Sequence, residues 1–389
     1  MKKILAFSSI RSEYDLLSPL YKLLTQDSQI DFRLLVSGAH LSPIYGYSVK
    51  EIEKDNIPIL AKIETLLASD SKISRIKSAS LLLQNSLEII ADFAPDVLCY
   101  AGDREDVVIY SMISGYLGIP SIHFFGGDHV RDGYIDNPIR HATSKLSSLH
   151  FVSCEAHLKR LVAMGEARER IYNIGSIALD KFVDFNPMPL KQIFSKFNRK
   201  QLERFAILIF HPVTQEADIV DVIFTNILES LQEANIGAFV SYPNVDYGNQ
   251  KLIATIERFK THQNFIFYAN IDRDLFLSIY KQAEFIIGNS SSGIGEAASI
   301  PIPAINVGMR QTGRMADKNV IFCSSNKQDI KDSIIKATST TFRESIQNIQ
   351  NSYGDGRSAK RAYELIKTLD FSRFLSKKED PLHQTLVLK

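Results

Sequence analysis

Short apolar runs alternate with longer segments of helical period along almost the whole chain, and this alternation strongly limits the possible folds. Buried strands of a parallel sheet read as short apolar runs, and a helix usually connects two of them. The pattern predicts an α/β protein with two Rossmann-like, doubly wound domains. The predicted strands are 4–8, 32–37, 97–100, 121–124, 149–152 and 172–174 in the first series, and 205–210, 238–241, 265–268, 285–288, 304–306 and 320–323 in the second.

The segment 184–200 interrupts the alternation of apolar runs and helical segments and separates the two series of strands. It contains two prolines and several basic residues, which is typical of an interdomain linker. A length of 389 residues gives each of two domains enough apolar material for its own core. The predicted organisation is an N-terminal domain over 1–183, a linker over 184–200, a C-terminal domain over 201–370 and a tail over 371–389 made of a short helix remnant and a loosely ordered end.

The charged residues nearly cancel, with 45 Lys and Arg against 44 Asp and Glu and a net charge of +1. Nucleic acids and anionic membranes attract an excess of positive charge, so we expect neither as a partner. Cys99, Cys154 and Cys323 lack the short spacings of zinc and redox sites. A reducing cytoplasm is the simplest compartment for such cysteines, and we expect no membrane span, because the start of the chain reads as a strand and no apolar run is long enough.

In doubly wound domains, ligands bind where the strands end, so the residues that follow each strand are the first candidates. Arg11 and Glu13 follow the first strand without the glycine-rich run of a dinucleotide site, which disfavours NAD and FAD. Arg11 could grip a phosphate at this strand-to-helix turn, or it could be a solvated turn arginine. Asp103 could act as an acid or a base, and Arg104 could bind an anion. Alternatively, the two residues simply lie in the first turn of a helix.

The densest group of polar residues follows the strand predicted at 121–124. A double glycine is followed by Asp128, Asp136 and His141, which are candidates for proton transfer. The histidines and carboxylates do not have the spacing of a zinc protease helix, so we predict no metal. The alternative is a polar loop in which Asp136 caps the following helix.

Near residue 290, a buried strand runs into small hydroxyl and glycine residues that open a helix. Ser290 and Ser291 there, with backbone amides, could bind a diphosphate, and Glu296 could accept hydrogen bonds from a ribose. Arg310 would complete such a phosphate site. The alternatives are an ordinary serine cap and a solvated arginine.

Two other residues of the second half follow predicted strands. His211 comes directly after 205–210, and Asn244 lies in a Pro-Asn turn after 238–241. By themselves they read as a structural histidine and an ordinary turn.

Taken in chain order, these blocks resemble the hydrolysing UDP-N-acetylglucosamine 2-epimerases. The resemblance implies the glycosyltransferase-B architecture, in which two Rossmann-like domains bind a nucleotide sugar. The blocks are Arg11 to Tyr14, Gly102 to Arg104, Gly126 to Asp128, Ile135 to Leu146, His211 to Thr214, Pro243-Asn244, Gly288 to Glu296 and Gly308 to Arg314.

The resemblance also implies roles for the candidate residues. Asp103, Asp128, Asp136 and His141 would surround the sugar and carry the chemistry, with no metal and no cofactor. A homodimer or a higher homo-oligomer would be usual. The residues implied to bind the uridine diphosphate and the substrate are Arg11, Glu13, Arg104, His211, Asn244, Ser290, Ser291, Glu296 and Arg310.

The implied reaction eliminates UDP from UDP-N-acetylglucosamine to give a 2-acetamidoglycal, and then adds water to give N-acetylmannosamine for sialic-type acid synthesis. The alternative substrate is UDP-2,4-diacetamido-2,4,6-trideoxyglucose, as in the legionaminic acid route. Three different functions compete with this reaction: a non-hydrolysing epimerase, a glycosyltransferase of the same fold and a non-catalytic nucleotide-sugar-binding protein.

Three departures from the family pattern make the sugar the open point. Asp128 stands where the family usually has glutamate, and Glu13 stands where aspartate is common. The loop from Asp128 to Asp136 is about two residues longer than in the animal enzymes.

Overall fold

The computed structural model describes residues 1–67, 72–130, 135–213, 216–243, 249–269 and 271–384. Within these residues the chain forms two units, each built around one parallel sheet. The first unit contains residues 1–129, 135–181 and 353–384, and the second is built mainly from 182–352.

The two sheets have seven and six strands in the described part of the chain, and all neighbouring strands pair in parallel. All strands predicted from the sequence are present, and β3 is additional. The first sheet contains β1 (Lys2–Ser8), β2 (Ile30–Ser37), β3 (Ile59–Ile63), β4 (Val97–Ala101), β5 (Ser121–Phe124), β6 (Leu149–Val152) and β7 (Ile171–Asn173); the second contains β8 (Phe205–Ile209), β9 (Gly237–Ser241), β10 (Phe265–Tyr268), β11 (Ile286–Gly288), β12 (Ala304–Val307) and β13 (Val320–Cys323).

Helices connect the strands in both units. The α-helices are α1 (Arg11–Gln26), α2 (Val49–Lys54), α3 (Lys72–Phe93), α4 (Glu105–Leu117), α5 (Asp136–Leu146), α6 (Glu155–Ala163), α7 (Leu190–Lys196), α8 (Val220–Glu233), α9 (Asn249–Phe259), α10 (Arg273–Gln282), α11 (Ser291–Gly295), α12 (Lys327–Thr338), α13 (Thr340–Ile346), α14 (Ser358–Thr368) and α15 (Pro381–Gln384). Short 3-10 helices span Gly38–Leu41, Pro43–Tyr45, Arg168–Arg170, Ile177–Phe182, Ala297–Ser299 and Phe371–Phe374.

The first sheet is covered by helices on both faces. Successive side chains of a strand point to opposite faces, so β1 places Ile4 and Ala6 in one core and Leu5 and Phe7 in the other. Helices α1 and α14 contribute to the first core, whereas α3 and α4 contribute to the second. This layering confirms the predicted doubly wound α/β architecture of the unit.

The second sheet is built in the same way. Its strand β8 sends Ala206 and Leu208 into a core that also receives buried residues of α8, α9 and α12. The alternate β8 residues Phe205 and Ile207 are also buried, so side chains on both faces of this strand exclude water from its backbone hydrogen bonds.

The segment 184–200 is more ordered than the linker predicted there. It contains α7, whose Ile193 and Phe194 are buried. The ring centroids of Phe194 and Phe205 lie 5.7 Å apart. This apolar face packs into the second unit, so the division between the units falls near residue 181.

The end of the chain also departs from the predicted organisation. Residues 353–370, expected in the C-terminal domain, belong to the first unit, because Ala359, Ala362 and Ile366 of α14 lie in the core that α1 also forms. A helix packs where its apolar stripe can be buried, and here that place is the first sheet.

The described part of the tail, 371–384, contains two short helical segments and is anchored to the first unit, whereas the end expected to be loosely ordered, 385–389, lies outside the described residues. Lys377 Nζ lies 2.6 Å from the buried carboxylate of Glu166, and the buried Arg170 guanidinium lies 2.7 Å from Glu379. Burial alone would raise the pKa of Glu166, but the hydrogen bond from His150 and the Lys377 charge hold it at about 2. These buried ion pairs fix residues 371–384 against the first unit.

Among the helices of the described residues, none combines the length and apolar character needed to cross a membrane.

Candidate active site

In each sheet the chain order of the strands reverses once. The reversal falls between β1 and β4 in the first sheet and between β8 and β11 in the second. Connections leave such a point in opposite directions, so a crevice opens at the carboxyl ends of the two strands. The predicted residues Arg11, Glu13, Asp103 and Arg104 follow the first pair, and the predicted residues His211, Ser290 and Ser291 follow the second.

Two carboxyl groups meet at the reversal point of the first sheet. The Ser9 backbone N–H donates to Glu13 Oε2 at 2.7 Å, and the Ser9 side chain is hydrogen bonded to Asp106. Burial, followed by the nearby Asp106 charge, raises the pKa of Glu13 to about 8. Burial also raises the pKa of Asp106, although Arg104 opposes this. Glu13 therefore holds a proton at neutral pH.

We expect Glu13→Gln to stabilise the protein in a pH-dependent way. In the folded state the Glu13 pKa is about 8 instead of its usual 4.5, so the folded state holds more protons between these values and its stability falls as pH rises through them. Urea unfolding should give nearly equal stabilities at pH 4.5, and roughly 4 kcal/mol in favour of the variant at pH 8. Glu88→Gln, on the exposed side of α3, is the matched control. An equal stability of variant and wild type at pH 8 would contradict the prediction.

The two predicted arginines of this region lie among carboxylates. Arg104 Nε lies 3.9 Å from Asp106, and this buried atom has no hydrogen-bond partner in the described chain. Arg11 Nε lies 3.3 Å from Glu51 on α2 and 3.8 Å from Asp15. Their contact with a phosphate stays a prediction, and Arg104 has a donor that the described residues do not use.

Arg140, on α5, joins two of the predicted catalytic carboxylates. Its guanidinium is hydrogen bonded to Asp103, lies 3.9 Å from Asp128 and donates to the Phe125 carbonyl oxygen at 3.2 Å. The Arg140 side chain is only 5% exposed. A buried guanidinium requires compensating charge, and here the two carboxylates supply it. Asp103 and Asp128 are thereby brought together.

The turn after β5 fixes Asp128. Phe125 and Gly127 have φ values of +63° and +78°, and a Cβ on Gly127 would lie 2.3 Å from the His157 carbonyl oxygen. Only glycine permits that approach. The His129 backbone N–H donates to Asp128 Oδ1 at 2.8 Å, and His157 Nε2 lies 3.3 Å from the same oxygen.

The remaining candidates of this unit lie on α5. Asp136 is exposed in the first turn of that helix, and the His141 ring stacks on that of His129 with 5.8 Å between centroids. Burial, followed by the charges of nearby basic groups, lowers the pKa of His141. The hydrogen bond that ties Asp103 to this helix is made by Arg140 and not by His141.

In the second unit, an asparagine connects the ends of β8 and β11. The His211 backbone N–H donates to Asn289 Oδ1, and Asn289 Nδ2 donates to the His211 carbonyl oxygen, both at 2.8 Å. Gly288 precedes Asn289 with a φ of +131°, and a Cβ there would lie 2.0 Å from the Ile209 carbonyl oxygen. This close approach of the two strands requires glycine.

Arg310 lies at the same place. Its Nη1 donates to the Asn289 carbonyl oxygen at 3.0 Å, beside the Gln311 side chain at 2.9 Å. Burial, followed by the Arg310 charge, lowers the pKa of His211 to about 3, so the ring is neutral at physiological pH. Its Nδ1 is buried and has no hydrogen-bond partner among the described residues. His211, Asn289 and Arg310 thus form one cluster.

The other predicted residues of this unit border the cluster. Ser290 caps α11 by accepting a hydrogen bond from the Ser292 N–H at 3.3 Å, Ser291 is the first residue of that helix, and Glu296 is its C-cap. Asn244 lies outside the described residues.

The sequence analysis did not single out four functional candidates, although two of them, Arg140 and Asn289, lie in blocks that carry the family resemblance; the four are Asp106, Arg140, His157 and Asn289. Asp106 and Asn289 follow the strands at the two reversal points, and this position could have identified them as candidates. Arg140 and His157 lie inside helices. Their only distinguishing feature is that each is a basic residue on a buried helix face, and the structure is needed to show which face is buried.

The residues that the structure describes contain no group of three or more His, Cys, Asp and Glu side chains arranged to hold a metal ion.

The fold and these clusters define a known class of protein. A family model described as UDP-N-acetylglucosamine 2-epimerase matches residues 22–367, and the chain belongs to this family of hydrolysing UDP-sugar 2-epimerases. The resemblance inferred from the sequence is confirmed.

Named relatives narrow the class. The chain is 32% identical over 393 residues to the UDP-N,N'-diacetylbacillosamine 2-epimerase (hydrolyzing) of Legionella pneumophila, in an alignment that covers 100% of this chain and 99% of the relative. It is 33% identical over 346 residues to the GDP/UDP-N,N'-diacetylbacillosamine 2-epimerase (hydrolyzing) of Campylobacter jejuni, with 88% and 89% covered.

Solved structures confirm the fold. The crystal structure of UDP-GlcNAc 2-epimerase from Neisseria meningitidis bound to UDP-GlcNAc superposes with a TM-score of 0.81 at 18% identity, covering 95% of this chain and 100% of that one. At this identity the similarity supports the predicted glycosyltransferase-B fold class and carries no further conclusion.

Proposed function

We propose that this enzyme hydrolyses UDP-2,4-diacetamido-2,4,6-trideoxyglucose, which is UDP-N,N'-diacetylbacillosamine, to UDP and free 2,4-diacetamido-2,4,6-trideoxymannose. The observation that carries the choice of sugar is the alignment over 100% of the chain with the Legionella pneumophila relative of that name. UDP-N-acetylglucosamine is the second candidate, because the UDP-N-acetylglucosamine 2-epimerase of Neisseria meningitidis is 30% identical over 343 residues.

The proposed reaction has two steps. In the first, a base takes the proton from C2, the C1–oxygen bond breaks, and UDP leaves with the bonding electrons to give a 2-acetamidoglycal. In the second, the elements of water add across the double bond, with hydroxyl at C1 and a proton at C2 on the opposite face. One water is consumed, and the sugar leaves as the 2-epimer.

The carboxylates of the first unit supply the proton transfers in this proposal. A carbon acid needs a base held close to it and a positive environment for the charge that develops. Asp103 and Asp128, joined through Arg140, provide two bases around one guanidinium. Asp136 and His141 are assigned to the same chemistry from the family resemblance, with acid and base roles not separated.

The residues of the second unit hold UDP in this proposal. Arg310 is a charge-assisted donor for the diphosphate, and the neutral His211 ring and the Ser290 and Ser291 hydroxyls offer further hydrogen bonds. Glu296 and Asn244 are assigned to the nucleoside from the resemblance, and Arg11, Glu13 and Arg104 are assigned to the substrate from the first unit.

Arg310→Ala should weaken UDP binding. Loss of a charged donor to a phosphate removes roughly 1.5–3 kcal/mol, which is about 10- to 100-fold in Kd by titration calorimetry. Arg258→Ala removes the same charge from the exposed face of α9 and should leave the Kd within about twofold. An unchanged Kd in Arg310→Ala, with the variant folded, would remove Arg310 from the proposed site.

The proposed function is tested by incubating the purified protein separately with each UDP-sugar in D2O and following the products by NMR. We expect free UDP and the free 2-epimer carrying deuterium at C2, with faster turnover of the diacetamido sugar. Faster turnover of UDP-N-acetylglucosamine would reverse the choice of sugar. UDP retained on the epimerised product would indicate a non-hydrolysing epimerase, and product formed only with an added acceptor would indicate a glycosyltransferase.

A further inference from the structure

Helix α6 is tied closely to the turn that carries Asp128. The His157 carbonyl oxygen occupies the space that a Cβ on Gly127 would need, since the two would be 2.3 Å apart. The guanidinium of Arg160, one turn later on α6, is hydrogen bonded to the Gly127 carbonyl oxygen. A displacement of this helix would therefore move the residue after Gly127.

The same helix presents an imidazole to the carboxylate. His157 Nε2 lies 3.3 Å from Asp128 Oδ1, and the His157 side chain is 5% exposed. The ring is held edge-on against Tyr353, with 6.0 Å between centroids. His157 Nδ1 is buried and has no hydrogen-bond partner within the described part of the chain. We assign the ring proton to Nε2, because a carboxylate accepts hydrogen bonds.

We propose that His157 is a positioning residue for Asp128 in the proposed reaction, orienting the carboxylate by directing its Nε2–H at Oδ1, which lies 3.3 Å away. The inference rests on the proposed function. The backbone N–H of His129 donates to the same oxygen at 2.8 Å, and Arg140 Nη2 lies 3.9 Å from the other oxygen, Oδ2, so contacts at both oxygens limit rotation of the carboxyl group. A base held at one angle transfers a proton faster than one that rotates, because small misplacements of reacting groups are costly.

The short side chain at this position gives the histidine its role. Aspartate carries its carboxylate on a single methylene, which keeps the carboxylate of residue 128 close to the main chain. The carboxylate then lies within reach of α6, and His157 supplies the donor from that side.

The proposal is tested with His157→Gln and His157→Phe in the full chain. Glutamine can place an N–H near the position of Nε2, whereas phenylalanine keeps the ring and loses the donor. We expect kcat to fall roughly 10- to 100-fold in His157→Phe with KM within about twofold, and glutamine to restore most of the loss. Lys159→Gln, exposed on α6, is the control. Circular dichroism and thermal melting verify the fold of each variant.

Two further readouts separate positioning from packing. The acid limb of the kcat–pH profile should move to higher pH in His157→Phe, because a lost donor disfavours the carboxylate. The double variant Asp128→Asn/His157→Phe should be no slower than Asp128→Asn alone. Additive losses in the double variant, or a folded His157→Phe with the kcat of the wild type, would overturn the inference. The proposed function would stand in both cases, because the wild-type protein would still turn over its substrate. A wild type inactive on both sugars would overturn both.

Discussion

Asp103→Asn is expected to lower kcat by about 10²- to 10⁴-fold while the Kd for UDP stays within about threefold. Asp103 follows β4 at the reversal point of the first sheet and is hydrogen bonded to the buried Arg140. Asparagine keeps an oxygen for that guanidinium but cannot take a proton. Steady-state release of UDP gives kcat, and titration calorimetry gives the Kd.

Asp92→Asn is the matched control for this prediction. It makes the same chemical change in the same unit, at an exposed position near the end of α3. We expect its kcat to equal that of the wild type. Turnover in Asp103→Asn above a tenth of wild type would exclude Asp103 as a proton-transfer group, and a large loss of UDP affinity would indicate a binding role.

Gly288→Ala is expected to destabilise the protein by about 3–5 kcal/mol. The new Cβ would lie 2.0 Å from the Ile209 carbonyl oxygen, and the φ of +131° suits glycine alone. Because both groups belong to the backbone of paired strands, relief requires β8 and β11 to separate, which also displaces Asn289. Urea unfolding should show the lower midpoint, and UDP affinity should fall with it.

Gly295→Ala provides the comparison within the same region. It lies at the end of α11, and no atom approaches within 4 Å of its Cβ position. We expect a change in stability within about 1 kcal/mol, since helical alanine is preferred over glycine by that amount. Equal stabilities of the two variants would show that the close approach at Gly288 does not constrain the sheet.

The strands were predictable because parallel strands are buried on both faces and read as apolar runs. Strand β3 escaped because it is an edge strand, and four of the five residues in Ile59–Ile63 are partly or well exposed. The assignment of α14 to the first unit could not be predicted for a different reason. Periodicity shows that a helix has an apolar stripe, but it does not show which of two similar sheets buries that stripe.

The residues of the candidate site likewise fall into those that the sequence could identify and those that only the structure reveals. Glu13, Asp103, His211 and Ser290 could be selected because the ends of parallel strands are the usual place for ligands. Arg140 could not, because a polar residue on the buried side of α5 leaves no mark in an apolar pattern. Its importance follows only from the positions of two carboxylates that are 25 residues apart in the sequence.

The return of the chain to the first unit affects the order in which the protein folds on the ribosome. Domains usually fold in the order of their synthesis. Here the core between α1 and the first sheet needs Ala362 and Ile366, which are made after the whole of 182–352. At 5–20 residues per second, the first unit waits about 10–40 s for α14. The second unit thus has its complete chain first, and the core between α1 and the first sheet is completed only when α14 has been made.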